Sequence, residues 1–263
     1  MSMPSNEARG GRSDAPGNAD APGGADVPGG ADAPGGADAP GDADAPAGAL
    51  ALGLAGERVW LLPARALWWP AARTVFVADV HLGKAASFRA LGQPVPAGTT
   101  RDNLDRLSAL IDGVRASRLV VLGDLLHAAA AQQAQVLDPV HRWRERHAAV
   151  ECLLVRGNHD SRAGDPPPSL RFDIVDEPHR MGPFAACHHP RRVEGAHALA
   201  GHLHPAMVLR GRAHEHQRLP CFCEADGLMI LPAFGAFTGT TLDGLPAGAR
   251  CHAVGGGAVW AAP

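Results

Sequence analysis

Thr74-Val-Phe-Val-Ala-Asp79-Val-His81, Arg118-Leu-Val-Val-Leu-Gly-Asp124 and Glu151-Cys-Leu-Leu-Val-Arg-Gly-Asn-His-Asp160 share one plan: a short apolar run, rich in β-branched residues, that ends abruptly in a polar motif. Such runs read as buried strands. Between the first two, Leu104, Leu107, Leu110, Ile111 and Val114 recur at helical spacing behind Thr100, which is placed to cap a helix. Residues 132–148 give a weaker helix between the second and third runs. Strand–helix–strand alternation predicts an α/β fold with parallel pairing and right-handed crossovers. Ligands of such sheets bind beyond the carboxyl ends of the strands, where all three motifs fall.

After Asp160 the pattern changes. Runs at Phe172–Val175, Phe184–Cys187, His197–Ala200, Met207–Leu209, Cys221–Cys223 and Leu228–Leu231 alternate with Pro, Gly and Asp turns, and helix signals fade. These predict a second, more antiparallel sheet. His188 follows one of its runs, and Gly201-His202-Leu-His204 follows another. Alternate residues on a strand point the same way, so His202 and His204 can share one site.

The polar motifs form a donor set. Asp79, His81, Asp124, Asn158, His188, His202 and His204 offer carboxylate, amide and imidazole ligands, with His159 in addition. Mixed oxygen and nitrogen donors suit Mn²⁺, Fe²⁺ or Zn²⁺ better than Mg²⁺ or Ca²⁺. Seven ligands exceed the needs of one tetrahedral ion but suit two ions sharing a carboxylate, the arrangement used to hydrolyse phosphate esters. His189 stands beside His188 as an alternative ligand. Lys84, Arg156 and Arg162 flank the motifs and could meet phosphates, although each alone also fits a solvated surface charge. Cys221-Phe-Cys223 reads as packing on one strand face rather than a metal pair, and Trp68-Trp69 as packing rather than base stacking. His214-Glu-His216 reads as a polar loop rather than a third metal site.

The chain of 263 residues is not uniform. From Asp14 to Ala49 a six-residue unit of the form Asp-Ala-Pro-Gly-Gly-Ala runs six times, with one Val as its only large apolar side chain. It cannot bury enough surface to offset its ordering entropy, so residues 1–49 are expected to be a disordered tail before a single domain at 50–263. The tail carries a net −6 and the domain a net +3, against −3 for the whole chain. That balance is compatible with an anionic substrate but is not the strongly basic signature of a protein that coats nucleic acid. No apolar run approaches the length of a membrane span, no signal-peptide pattern opens the chain, and five Cys show no framework spacing. A cytoplasmic protein with no membrane attachment is expected.

In this order, Asp-x-His, Gly-Asp, Gly-Asn-His-Asp, His-x-Pro and Gly-His-x-His resemble the calcineurin-like metallophosphoesterase superfamily over roughly residues 57–240. Asp79-Val-His81-Leu-Gly-Lys84 and Gly123-Asp-Leu-Leu-His127 look like its nuclease side. Leu91-Gly-Gln-Pro-Val-Pro, Pro220-Cys-Phe and Leu231-Pro-Ala-Phe-Gly-Ala-Phe-Thr-Gly look like the bacterial ligase-associated phosphoesterases of the PdeM type. The resemblance implies a four-layer sandwich, two mixed β-sheets flanked by helices, and a phosphodiester substrate in nucleic acid. It also implies a setting in DNA repair beside an ATP-dependent DNA ligase, a helicase and an exonuclease. A small-molecule phosphatase or cyclic-nucleotide phosphodiesterase is the enzyme alternative, and a scaffold subunit the non-enzyme one. The resemblance further implies two divalent transition-metal ions, Mn²⁺ ahead of Fe²⁺ or Zn²⁺. Asp79, His81 and His204 would hold one, Asn158, His188 and His202 the other, with Asp124 shared. His159 would act catalytically as general acid beside the bridging Asp124. His-x-Pro aligns His188, not His189, as the ligand. Phosphatases of the superfamily have Asp where this chain has His127, which leaves the orientation of His159 open.

Overall fold

The computed structural model describes residues 45–95, 98–210 and 216–261. Residues 1–44, most of the expected tail, lie outside it, as do His214 and Glu215 of the polar loop. In chain order the elements are β1 (Leu50–Leu54), β2 (Glu57–Leu62), β3 (Ala66–Trp69), β4 (Thr74–Val77), α1 (Lys84–Ala90), α2 (Thr99–Val114), β5 (Arg118–Leu122) and α3 (Ala134–Arg146). Then follow β6 (Glu151–Val155), α4 (Asn158–Ala163), β7 (Phe172–Val175), β8 (His179–Met181), β9 (Phe184–Ala186) and β10 (His197–Ala200). The chain closes with β11 (Ala206–Arg210), β12 (His216–Ala225), β13 (Leu228–Ile230), β14 (Arg250–Gly255) and β15 (Ala258–Trp260).

Two mixed sheets result. The first runs β1 to β7 in chain order, antiparallel up to β4 and parallel from β4 to β7. The second has the order β15-β14-β12-β13-β10-β9-β8, with β11 on β12, and only β9, β10 and β13 are parallel neighbours. The run Phe172–Val175 was expected in the second sheet, but β7 extends the first, with Cys152 opposite Phe172. A four-residue apolar run carries no mark of its partner. The expected Thr100 cap is also corrected: the cap is Gly98, two residues earlier, at φ 94° and without a side-chain cap bond.

The strands alternate between two cores. Val75, Val77, Leu119 and Val121 pack with Leu104, Leu107 and Ile111 of α2 and Val140 and Trp143 of α3. Phe76, Val120 and Leu122 face Phe184, Leu199, Phe222 and Met229 of the second sheet. Strands buried on both faces explain the unbroken apolar runs that made β4 and β5 legible. The Phe184 ring meets Trp69 edge-on at 5.0 Å, and Trp68 and Trp69 are both buried packing residues. The helices serve the first sheet; the outer face of the second is covered by loop residues such as Val193, Leu203, Leu245 and Ala249. No helix among the described residues is long and apolar enough to cross a membrane.

The repeat and the fold overlap slightly. Within the last repeat unit the Ala49 N–H donates to Pro46 O, and Gly48 O accepts the Val259 N–H at 2.8 Å. Ala49 packs on the helix-side core. Deleting residues 1–44 should therefore leave the melting temperature unchanged. Deleting residues 1–49 removes a cross-chain hydrogen bond and a packed side chain, together about 1 kcal/mol, and should lower Tm by ~2–4 °C. Calorimetry on both truncations checks this; equal melting of the two would show that 46–49 contributes nothing.

Candidate metal centre

Parallel β4, β5 and β6 end side by side, so Asp79, Asp124 and Asn158 are delivered to one edge of the first sheet. From the second sheet, β9 leads into His188, and β10 leads into Gly201, His202 and His204. The Asp79 N–H donates to Gly123 O, the His81 N–H to Asp124 O, and the His202 N–H to Asp79 Oδ2 at 2.9 Å. Both sheets are thereby stitched to Asp79.

The seven expected donors converge on Asp124 in two groups. On one side His204 Nε2 lies 3.3 Å from Asp79 Oδ1, and His81 Nε2 lies 3.9 Å from Asp124 Oδ2. On the other, His188 Nε2 is 3.6 Å from Asp124 Oδ1, 2.9 Å from Asn158 Oδ1 and 3.1 Å from His202 Nδ1. His188 is completely buried, whereas His189 is engaged by Glu177, its Nδ1 2.8 Å from Oε1, while its ring packs on His202 at 4.5 Å. Five of the seven, Asp79, His81, Asp124, His202 and His204, have positive φ between 49° and 70°. Non-glycine residues rarely adopt that backbone, and its concentration at one site marks geometry held by the surrounding fold.

Glycine makes room for these donors. A Cβ at Gly123 would lie 2.0 Å from His188 Nδ1, and one at Gly157 would lie 2.3 Å from Asp124 Oδ1. The glycines of the Gly-Asp and Gly-Asn motifs are thus spaces into which the opposing ligand packs.

The chemistry of the donors fits cations. Asp79 Oδ1 and His81 Nε2 are buried and have no hydrogen-bond partner. His188 Nδ1 donates to Leu122 O at 3.1 Å, which leaves the Nε2 lone pair facing Asn158 Oδ1 at 2.9 Å. Two acceptors facing each other repel, and a cation between them converts the repulsion into coordination. Burial, then the charge of Lys84, holds the His81 imidazole far below its ordinary pKa, leaving it neutral. Burial, then neighbouring His188, lowers His202 as well. Burial raises the Asp124 carboxyl, with nearby His188 opposing and Asp79 reinforcing the shift. Bound dications would reverse that cost.

His159 and His127 sit above this cluster. His159 Nδ1 donates to the His127 carbonyl at 2.9 Å, which leaves Nε2 facing Asp124 Oδ2 at 4.0 Å. The carbonyl of residue 127, an atom independent of residue type, fixes His159 Nδ1, and the His127 side chain adds a ring contact. The two rings stack at 4.7 Å. Burial, then Lys84 and His159, pushes His127 down to about 4, so it adds no charge near neutrality.

Two positioning residues are less visible in sequence. Asp160 is fully buried, and its carboxylate accepts the N–H groups of Asp124 at 2.7 Å, Leu126 at 3.0 Å and Gly157 at 3.0 Å. It clamps the β5 and β6 motifs together, a role its place in Gly-Asn-His-Asp left undecided. Glu177 accepts the N–H groups of His188 and His189 at 2.6 and 2.8 Å and also pairs with Arg191. No spacing pattern announced it. Of the flanking cations, Arg156 is engaged by Asp165 and Asp176. Lys84 is partly buried, its pKa lowered by burial while Asp79 and Asp124 act to raise it. Arg162 lines a groove of about 430 Å³ that begins at Asn158.

The sequence profile described as calcineurin-like phosphoesterase matches residues 72–209. A solved structure, the nuclease MPE of Pseudomonas putida, is 41% identical with a TM-score of 0.72, covering 81% of this chain and 99% of its own. The chain belongs to the calcineurin-like phosphoesterase family and is a phosphoric ester hydrolase of a family that uses divalent metal ions. Another solved structure, the phosphoesterase Yfce of E. coli, is 17% identical with a TM-score of 0.36, covering 71% of this chain and 95% of its own. Curated protein sequences give no match.

The Asp160 clamp is testable. Asp160→Asn places an amide hydrogen against at least one buried N–H, and each N–H left unpaired costs about 1–3 kcal/mol. Urea unfolding should show a loss of that size, together with weakened metal retention. Unchanged stability would mean that the carboxylate is replaceable there.

Proposed function

We propose that this protein is a binuclear metal-dependent phosphodiesterase that cuts the backbone of nucleic acid. The proposed substrate is DNA, under repair in the cytoplasm beside an ATP-dependent ligase, a helicase and an exonuclease. The observation that carries this reading is the convergence of seven donors on one shared carboxylate, Asp124, in two groups. The 41% identity to a bacterial nuclease favours a nucleic-acid diester over a small monoester.

Asp79, His81 and His204 would hold one ion, and Asn158, His188 and His202 the other, with Asp124 shared. Two such ions, Mn²⁺ first among the candidates, supply Lewis acidity to phosphoryl oxygens and lower the pKa of a water. Asp124 offsets the repulsion between neighbouring dications, and the five neutral Asn and His ligands avoid cancelling their charge. His159, locked through Nδ1 to the His127 carbonyl, presents Nε2 toward the cluster. In the imidazolium form that nitrogen gives its proton to the departing oxygen. Lys84 and Arg162 supply positive charge for the flanking phosphates.

DNA should be cut with Mn²⁺ and left intact with a chelator. Hydrolysis of phosphate monoesters without any cleavage of DNA or small diesters would overturn the reading. His159→Asn should keep its metals while lowering kcat by roughly 10²–10⁴-fold on DNA, the contribution of a positioned acid. The loss should shrink for bis(p-nitrophenyl) phosphate, whose leaving group departs without help from a proton. Equal losses on both substrates would remove His159 from the acid role.

A further inference from the structure

Three cysteine sulfurs gather on the outer face of the second sheet. Cys221 and Cys223 lie two residues apart on β12 and so face the same way, and Cys251 on β14 is the register partner of Cys223. Cys223 Sγ lies 2.7 Å from Cys251 Sγ and 3.6 Å from Cys221 Sγ. All three are free thiols; Cys221 and Cys223 are buried, while Cys251 is only partly buried and is the least enclosed residue of the three. Non-bonded carbons rest about 3.5–4.0 Å apart, and sulfur is larger. A disulfide spans about 2.05 Å. The Cys223–Cys251 separation falls between contact and bond.

The surroundings choose among the chemistries open to three thiols. Ala198, Ala200, Leu228 and Ile230 form the buried cluster around them, with Leu245 and Ala249 packed over it. Three thiolates around a mono- or divalent soft ion would leave net negative charge in that apolar setting, which is costly. A disulfide is neutral. Its two ends are also selected by backbone geometry. Opposed residues on antiparallel strands have Cα atoms about 4.5–5.5 Å apart, within the shorter half of the disulfide range. Cys221 and Cys223 on one extended strand are separated by two rises of about 3.4 Å, at the far limit of that range.

We propose that Cys223 and Cys251 form a reversible cross-strand disulfide, written by a small-molecule disulfide that enters through Cys251. The Cys251 thiolate attacks one sulfur of the reagent, RSSR; the S–S bond breaks, and RS⁻ leaves and takes up the proton Cys251 lost. Cys223 then attacks Cys251 Sγ of the mixed disulfide, expelling the second RS⁻, which takes up the Cys223 proton. Two protein thiols lose two electrons, and RSSR becomes two RSH. Leu203 and Met207 pack on the same cluster, and Leu203 lies between His202 and His204. The apolar cluster that holds the link thus reaches the turn that carries two of the proposed metal ligands.

The full chain, treated with oxidised glutathione, quenched and denatured, should titrate three thiols in place of the five it starts with. Proteolysis and mass spectrometry should find one linked peptide pair, Cys223 to Cys251. Cys223→Ser should instead retain glutathione on Cys251, and Cys221→Ser should still form the link. Five remaining thiols, a wild-type protein that stops at the glutathione adduct, or a link through any other cysteine would overturn the proposal. So would loss of the link in Cys221→Ser.

Discussion

Asp79 and Asp124 end adjacent parallel strands with almost no exposure to water, and burying two carboxyl groups so close together is a cost that the rest of the molecule is built to meet. Part is met by the backbone: the His202 N–H reaches Asp79 from the second sheet, and the His159 N–H reaches Asp124 from α4. Asp160 accepts the Asp124 N–H and pulls the β5 and β6 motifs together. The remainder is left for cations, since Asp79 Oδ1 has no hydrogen-bond partner and burial raises the Asp124 pKa. Each ligand group draws donors from both sheets, so the packing of Phe76, Phe184 and Phe222 between the sheets also sets the span within each group.

The same constraint explains the strained backbone. Positive φ at Asp79, His81, Asp124, His202 and His204 turns each chain sharply as it leaves its strand, so that side chains from different strands face inward. Such conformations cost of order 1–3 kcal/mol each and persist only where surrounding bonds over-determine them. Gly123 and Gly157 remove the side chains that would otherwise occupy the space of His188 and Asp124. Stability has been exchanged for placement.

Much of this was readable from residues alone. β4, β5 and β6 were legible because both faces of each are buried, giving unbroken apolar runs with a polar stop. The ligand candidates were legible because the polar stop follows the strand end. β1, β2, β3, β8, β14 and β15 were not anticipated: Leu50, Leu52 and Leu54 do alternate, but with Ala51 and Gly53 rather than polar residues, and they adjoin Ala- and Gly-rich sequence that masks the period. β7 was placed in the wrong sheet because strand pairing is a long-range property that a short run does not encode. The α2 cap was missed because a left-handed Gly98, not a hydroxyl, turns the chain into the helix. Asp160 and Glu177 act on backbone N–H groups distant in sequence, and no local pattern distinguishes such a carboxylate from one in a solvated turn. At His127 the useful atom is the carbonyl oxygen, which every residue type has.

The shared carboxylate is the centre of the proposed chemistry, and anomalous diffraction from crystals soaked in Mn²⁺ addresses it directly. Two peaks about 3.5–4 Å apart, one on each side of Asp124, are expected, as in other two-metal hydrolytic sites. One should be held by Asp79, His81 and His204, the other by Asn158, His188 and His202. A single peak at saturating Mn²⁺, or two peaks with Asp124 touching only one, would contradict it.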